Sequence, residues 1–137
     1  MIFIKNAYVT DPAGGREEKA DILLKDGKIV KIGQIKEEEL AAEPASFRVI
    51  DAEGLVAAPG LVDVHSHFRD PGFTYKEDIE TGAKAAAKGG YTTVVLMANT
   101  KPCVDNEETL RYVIEKGKQT GIHVYTCATV TMGMQGK

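Results

Sequence analysis

Hydrophobic and polar positions change rhythm at Pro59-Gly60. Upstream, short apolar runs alternate with turn residues. Ile2 to Val9 is dominated by β formers. Asp21 to Ile32 holds two apolar runs, Ile22-Leu23-Leu24 and Ile29-Val30, on either side of Lys25-Asp26-Gly27-Lys28. An Asp-Gly pair suits a type I′ turn, whose two central residues take positive φ, so these runs are predicted to form a hairpin. Phe47 to Ile50 and Leu55 to Ala58 are predicted to pair with each other across the turn Asp51-Ala52-Glu53-Gly54. Lys36 to Pro44, charged and alanine-rich, reads as a solvated excursion. Residues 1–58 are expected to form a small all-β, sandwich-like module.

Downstream, residues 59–137 alternate between strand-like and helix-like patterns. Leu61-Val62-Asp63-Val64 begins a strand. Thr74-x-x-Glu77 has the spacing of a capping box, and the helix after it is predicted to stop at Gly89-Gly90. Tyr91 to Met97 is continuously β-branched and apolar, as in a parallel strand buried on both faces. Asp105 is the predicted cap of a second helix, with Glu108 at its third position. Leu110, Val113, Ile114 and Gly117, at i, i+3, i+4 and i+7, form its expected inward stripe. A third strand is predicted from Ile122 to about Val130. The strands start about 30 residues apart, the length of a strand-helix unit. This alternation predicts an α/β fold with a parallel sheet and outer helices. Spacing alone does not separate the opening of a (β/α)8 barrel, which needs about 250 residues, from an open doubly wound sheet.

Composition narrows the function. Seventeen basic and 20 acidic residues leave a formal charge of -3, which gives no polyanion-binding signal, and nucleic acid is not an expected partner. The longest apolar stretches, such as Val94-Val95-Leu96-Met97-Ala98, fall far short of the ~20 residues that cross a bilayer. Met1 to Asn6 lacks the basic, apolar and small-residue layout of a signal peptide. Cys103 and Cys127 have no CxxC spacing and read as reduced thiols rather than a disulfide or a zinc knuckle, which makes the cytoplasm the expected compartment.

The chemistry concentrates in Asp63-Val64-His65-Ser66-His67-Phe68-Arg69-Asp70-Pro71-Gly72. Alternate side chains of a strand share one face, so His65 and His67 point the same way. At the carboxyl end of a barrel strand they would converge on the active-site face and make half of a zinc site. Packing or surface chemistry is the alternative for an isolated HxH. Arg69 carries a planar, permanently charged fork suited to a carboxylate. Its alternative is an ion pair with Asp70 or Glu77. Asn99 leaves the second strand in Met97-Ala98-Asn99-Thr100-Lys101-Pro102 and could hold a polar group of the same ligand, or simply stabilise its own turn.

HxHFRDPG, with Tyr75-Lys76-Glu77-Asp78-Ile79-Glu80-Thr81-Gly82 after it, closely resembles the dihydroorotases of the amidohydrolase superfamily. Gly89-Gly90-Tyr91-Thr92-Thr93-Val94-Val95, Asn99-Thr100-Lys101-Pro102 and the lead-in Ala58-Pro59-Gly60-Leu61-Val62-Asp63 extend the resemblance over essentially the whole chain. Ala98 departs from it, since a proline is common there. Hydantoinases share the HxH strand but usually lack the arginine. Allantoinases keep a similar HxHFR-x-PG run, and the Asn-Thr-Lys-Pro run favours dihydroorotase over them.

The resemblance implies that residues 59–137 are the first three strand-helix units of a TIM-type (β/α)8 barrel, and that the β module is incomplete without later strands. It implies reversible hydrolysis of dihydroorotate to N-carbamoyl-aspartate in de novo pyrimidine (UMP) synthesis. His65 and His67 would be ligands to one zinc of a one- or two-metal site, and Arg69 and Asn99 would grip the substrate carboxylate. The family's remaining ligands and its proton-shuttle aspartate are expected beyond Lys137, so no catalytic residue is assigned here and these residues alone are expected to be inactive. His123, at the start of the third strand, is expected to be structural. A homodimer, or association with aspartate transcarbamoylase by an active or a non-catalytic module, completes the expectations.

Overall fold

The computed structural model describes residues 1–41 and 47–136. Contacts divide the chain into two compact units, Met1–Pro59 and Gly60–Lys137.

The first unit contains strands β1 (Ile2–Asp11), β2 (Arg16–Lys25) and β3 (Lys28–Gly33), a short helix α1 (Glu37–Ala41), and strands β4 (Arg48–Asp51) and β5 (Val56–Ala57). The sheet order is β3-β2-β1-β4, with β5 also on β1. The Asp-Gly hairpin forms as expected: Asp26 and Gly27 have φ of 50° and 74°, and β2 runs antiparallel to β3. The expected pairing of Phe47–Ile50 with Leu55–Ala58 does not form. Both segments instead lie parallel to β1, one after the other along the same edge. The turn between them steps the chain forward, because Ala52 N–H donates to Lys5 O (2.9 Å) and Tyr8 N–H to Leu55 O (3.0 Å). Those bonds satisfy an edge of β1 that would otherwise stay open. Asp51, at the end of β4, accepts from Lys5 and Asn6, which hold its carboxyl at about 2. The stretch read as a solvated excursion contains α1, whose Glu39 accepts from Lys31 Nζ at 2.5 Å. The part of that stretch at 42–44 lies outside the described residues. Ala7, Val9, Ala20, Ile22 and Ala52 form the core.

The second unit is mixed α/β. Strands β6 (Leu61–Ser66), β7 (Tyr91–Leu96) and β8 (His123–Thr126) are parallel and adjacent in that order. Helix α2 (Ile79–Lys88) joins the first two and α3 (Glu107–Gly117) the last two. The helices touch each other, α2 packs on β7, and α3 packs on β8. Val94, Leu96 and Ala98 face this helical layer with Ile79, Ala83, Val104, Val113 and Val124, and Phe68 closes the cluster. Burial is therefore concentrated on one face of β7, where Val94 and Leu96 are buried and Thr93 and Val95 only partly so. Gly82 lets Phe68 lie against α2, since a Cβ there would sit 2.7 Å from the ring.

Three boundaries differ from expectation. Helix α2 is capped by Asp78, whose carboxylate accepts from Thr81 N–H at 2.9 Å, and not by Thr74. Glu77 is engaged by the Asp78 N–H and the Thr81 hydroxyl. Helix α3 is capped by Asn106 and not Asp105, which accepts instead from Gly133 N–H at 2.8 Å. The buried stripe of α3 is Thr109, Val113 and Gly117, and Leu110 is 37% exposed. Gly117 lies so close to Val124 that an added Cβ would sit 2.7 Å away, and that close approach sets which face of α3 turns inward. The third strand is only four residues long, with a 3-10 turn at Met132–Met134 after it. At the other end of α2, Gly89 and Gly90 terminate the helix as expected, Gly90 at φ 87°.

Candidate metal and carboxylate site

Parallel strands put their carboxyl ends on one side of the sheet. Beyond the last residues of β6 and β7, Met97 N–H donates to Ser66 O at 2.8 Å, and Cys127 N–H reaches Leu96 O at 2.9 Å. These bonds hold the three strand ends side by side. The period of two then brings His65 and His67 out together, with ring centroids 5.2 Å apart. Asp63 stiffens the strand beneath them by accepting from Ser66 Oγ (2.5 Å) and from His65 N–H (2.9 Å), and these bonds lower its pKa.

Asn99 arrives from the end of β7 with its Oδ1 3.0 Å from His67 Nδ1. With the amide oxygen facing the ring, the tautomer that pairs with it carries its proton on Nδ1 and leaves the Nε2 lone pair for a metal. Orientation of a ligand imidazole through its other nitrogen is the usual arrangement at metal sites. The Asn99 Nδ2 group makes no hydrogen bond among the described residues and remains a donor for a second ligand atom. His65, His67 and Asn99 line an open cleft of about 510 Å³ with Met97, Cys127 and Thr131.

Arg69 lies two residues beyond His67, half-buried, with φ of 64°. It is not among the cleft-lining residues. It does not form the alternative ion pair either: Asp70 is engaged by Lys116, and Glu77 by Thr81. His123 is exposed at the first position of β8, stacked on Tyr125 (6.3 Å, 14°), and does not reach the cleft. Among the described residues no group of three or more His, Cys, Asp or Glu side chains could hold a metal. Two imidazoles are one ligand short of the three protein ligands usual in catalytic zinc centres.

Asp70, which the sequence offered only as a partner for Arg69, is placed elsewhere by the structure. Asp70 is fully buried, and its carboxylate accepts from Lys116 Nζ (2.5 Å), Tyr112 Oη (2.8 Å) and Ile79 N–H (3.3 Å). The next residues lock the loop to its neighbour: Lys101 N–H donates to Pro71 O at 3.0 Å, and Gly72 packs on the Lys101 carbonyl.

The family model described as "Dihydro-orotase-like" matches residues 54–137. The chain belongs to the dihydroorotase-like family. A dihydroorotase of Clostridioides difficile (strain 630) is 56% identical over the whole chain, which spans 31% of that relative's length. The fold is similar to an L-hydantoinase (dihydropyrimidinase) from Arthrobacter aurescens, at a TM-score of 0.71 and 29% identity over 93% of this chain and 27% of that one. It is also similar to a variant of atrazine chlorohydrolase from Arthrobacter aurescens TC1 complexed with zinc and atraton. There the TM-score is 0.65 and the identity 25%, over 93% of this chain and 35% of the other. The chain therefore spans about a third of the length of the dihydroorotases it matches.

Proposed function

We propose that these residues are the opening part of a zinc-dependent dihydroorotase, which interconverts dihydroorotate and N-carbamoyl-aspartate in pyrimidine synthesis. The observation that carries this is the His65-His67-Asn99 constellation at the carboxyl ends of the first two parallel strands, in a member of this family. On this proposal residues 59–137 form the first three units of a (β/α)8 barrel. The sequential parallel order β6-β7-β8, with α2 and α3 packed together on it, accords with this reading, and the similarity to the hydantoinase fold supports it over an open doubly wound sheet.

His65 and His67 would hold the metal through the nitrogens that Asn99 and the strand leave available. Once bound, zinc supplies a Lewis acid for the cyclic amide carbonyl and lowers the pKa of water. Arg69 and the Asn99 amide would grip the substrate carboxylate, Arg69 by turning its fork toward the cleft. The further metal ligands and the proton-shuttling aspartate would come from the remaining length over which the relatives extend, so residues 1–137 alone would be inactive. The proposed compartment is the cytoplasm, where the two free thiols, Cys103 and Cys127, stay reduced. No helix among the described residues is long and apolar enough to cross a membrane. A second copy and aspartate transcarbamoylase are the proposed protein partners, and gel filtration with and without added transcarbamoylase checks both.

The test is an assay of the intact protein on three substrates. Turnover of dihydroorotate and of N-carbamoyl-aspartate, with allantoin untouched, is the expected result. Hydrolysis of allantoin with dihydroorotate left intact would overturn the substrate assignment.

A further inference from the structure

We propose that Asp70 is a positioning residue for substrate binding: anchored on helix α3, it fixes the backbone from which Arg69 reaches the substrate carboxylate. The proposal rests on the dihydroorotase function above and adds to it a residue that touches neither metal nor substrate. Asp70 is fully buried, and a buried carboxylate is tolerated only when its lone pairs are engaged. Here Tyr112 and Lys116, one turn apart on α3, and the first N–H of α2 all donate to it. Lys116 also lies 3.3 Å from Tyr112 Oη and 5.6 Å from its ring centroid, so the ammonium is held in one place.

The consequence falls on Arg69 because of what lies on either side of Asp70. Arg69 has φ of 64°, in the left-handed region where a side chain other than glycine needs support from its surroundings. Its carbonyl accepts from Phe73 N–H at 2.9 Å, closing the turn behind it. Pro71, on the other side, accepts from Lys101 N–H, in the loop that carries Asn99. The anchor therefore sets the Arg69 turn, and through Pro71 and Lys101 it sets its distance from Asn99. The two carboxylate-gripping side chains are held as one unit.

The experiment compares KM, kcat and bound zinc in the intact, zinc-loaded protein for wild type, Asp70→Asn and Tyr112→Phe. Asp70→Asn keeps the shape and removes the charge that holds Lys116. Tyr112→Phe removes one donor to Asp70 at an exposed position and leaves the Lys116 ion pair in place, so it reports even where Asp70→Asn fails to fold. A merely structural role lowers the folded fraction, which reduces apparent kcat and leaves KM alone. The expected result is a KM for dihydroorotate raised roughly tenfold, ~1.4 kcal/mol, with zinc content and kcat per bound zinc little changed. Folded variants with unchanged KM beside an active wild type would overturn the positioning role and leave the dihydroorotase assignment standing. A wild type inert toward dihydroorotate would overturn that assignment, and the positioning role with it.

Discussion

Replacing Gly72 by alanine is expected to destabilise the intact protein by about 2–5 kcal/mol, from about 1–2 for a left-handed L-residue and about 1–3 for overpacking. Gly72 has φ of 93°, and an added Cβ would stand 2.0 Å from the Lys101 carbonyl oxygen and 2.8 Å from its carbon. Both atoms belong to backbone, so no side chain can rotate away. The loops must separate, and they are the loops that carry Arg69 and Asn99. Gly90→Ala is the matched control: its φ is 87°, and nothing lies within 4 Å of the added Cβ. It should show the conformational cost alone, about 1–2 kcal/mol. Urea titrations followed by circular dichroism read the difference. Equal losses in the two variants would mean that the loop contact contributes nothing.

Arg69→Met is expected to raise KM for dihydroorotate by roughly 10²-fold, the range for removing one member of a desolvated charge pair. Bound zinc should be unchanged, because Arg69 touches neither imidazole. Methionine keeps most of the side-chain volume, so packing changes little. Asn99→Ala should behave differently. Its Oδ1 meets His67 Nδ1 at 3.0 Å, so the variant loses both a substrate donor and the group that orients the imidazole. Zinc affinity should then fall by about 10–100-fold together with the rise in KM. Steady-state kinetics with metal analysis on each variant separates the roles. An Arg69→Met enzyme with wild-type KM would remove Arg69 from the substrate site.

Features set by short-range geometry were legible in the chain. The convergence of His65 and His67 follows from the two-residue period of a strand, and the β2–β3 hairpin from the positive φ that Asp26-Gly27 accepts. Long-range competition was not legible. Segments 47–50 and 55–58 look like a local pair, but the open edge of β1 offered each a better partner. Thr74 and Asp78 are both sound caps by composition; Asp78 caps α2, and Asp70, from outside the segment, receives the first helical N–H, that of Ile79. The true partners of Asp70 were not legible, because Tyr112 and Lys116 lie 42 and 46 residues away and no local pattern links them to it. Cys127 and Thr131 reach the cleft only because β8 ends beside β7, which no local pattern announces.

If His65 and His67 hold a catalytic zinc, as proposed, the zinc content of the intact protein after dialysis, measured for wild type and for His65→Ala, tests it most directly. Wild type should retain zinc, and His65→Ala should lose it, with affinity lowered by at least roughly 10²-fold, beyond the cost of losing an outer partner. Zinc retained equally by both proteins would contradict the metal assignment and leave the two histidines as neighbours on a strand.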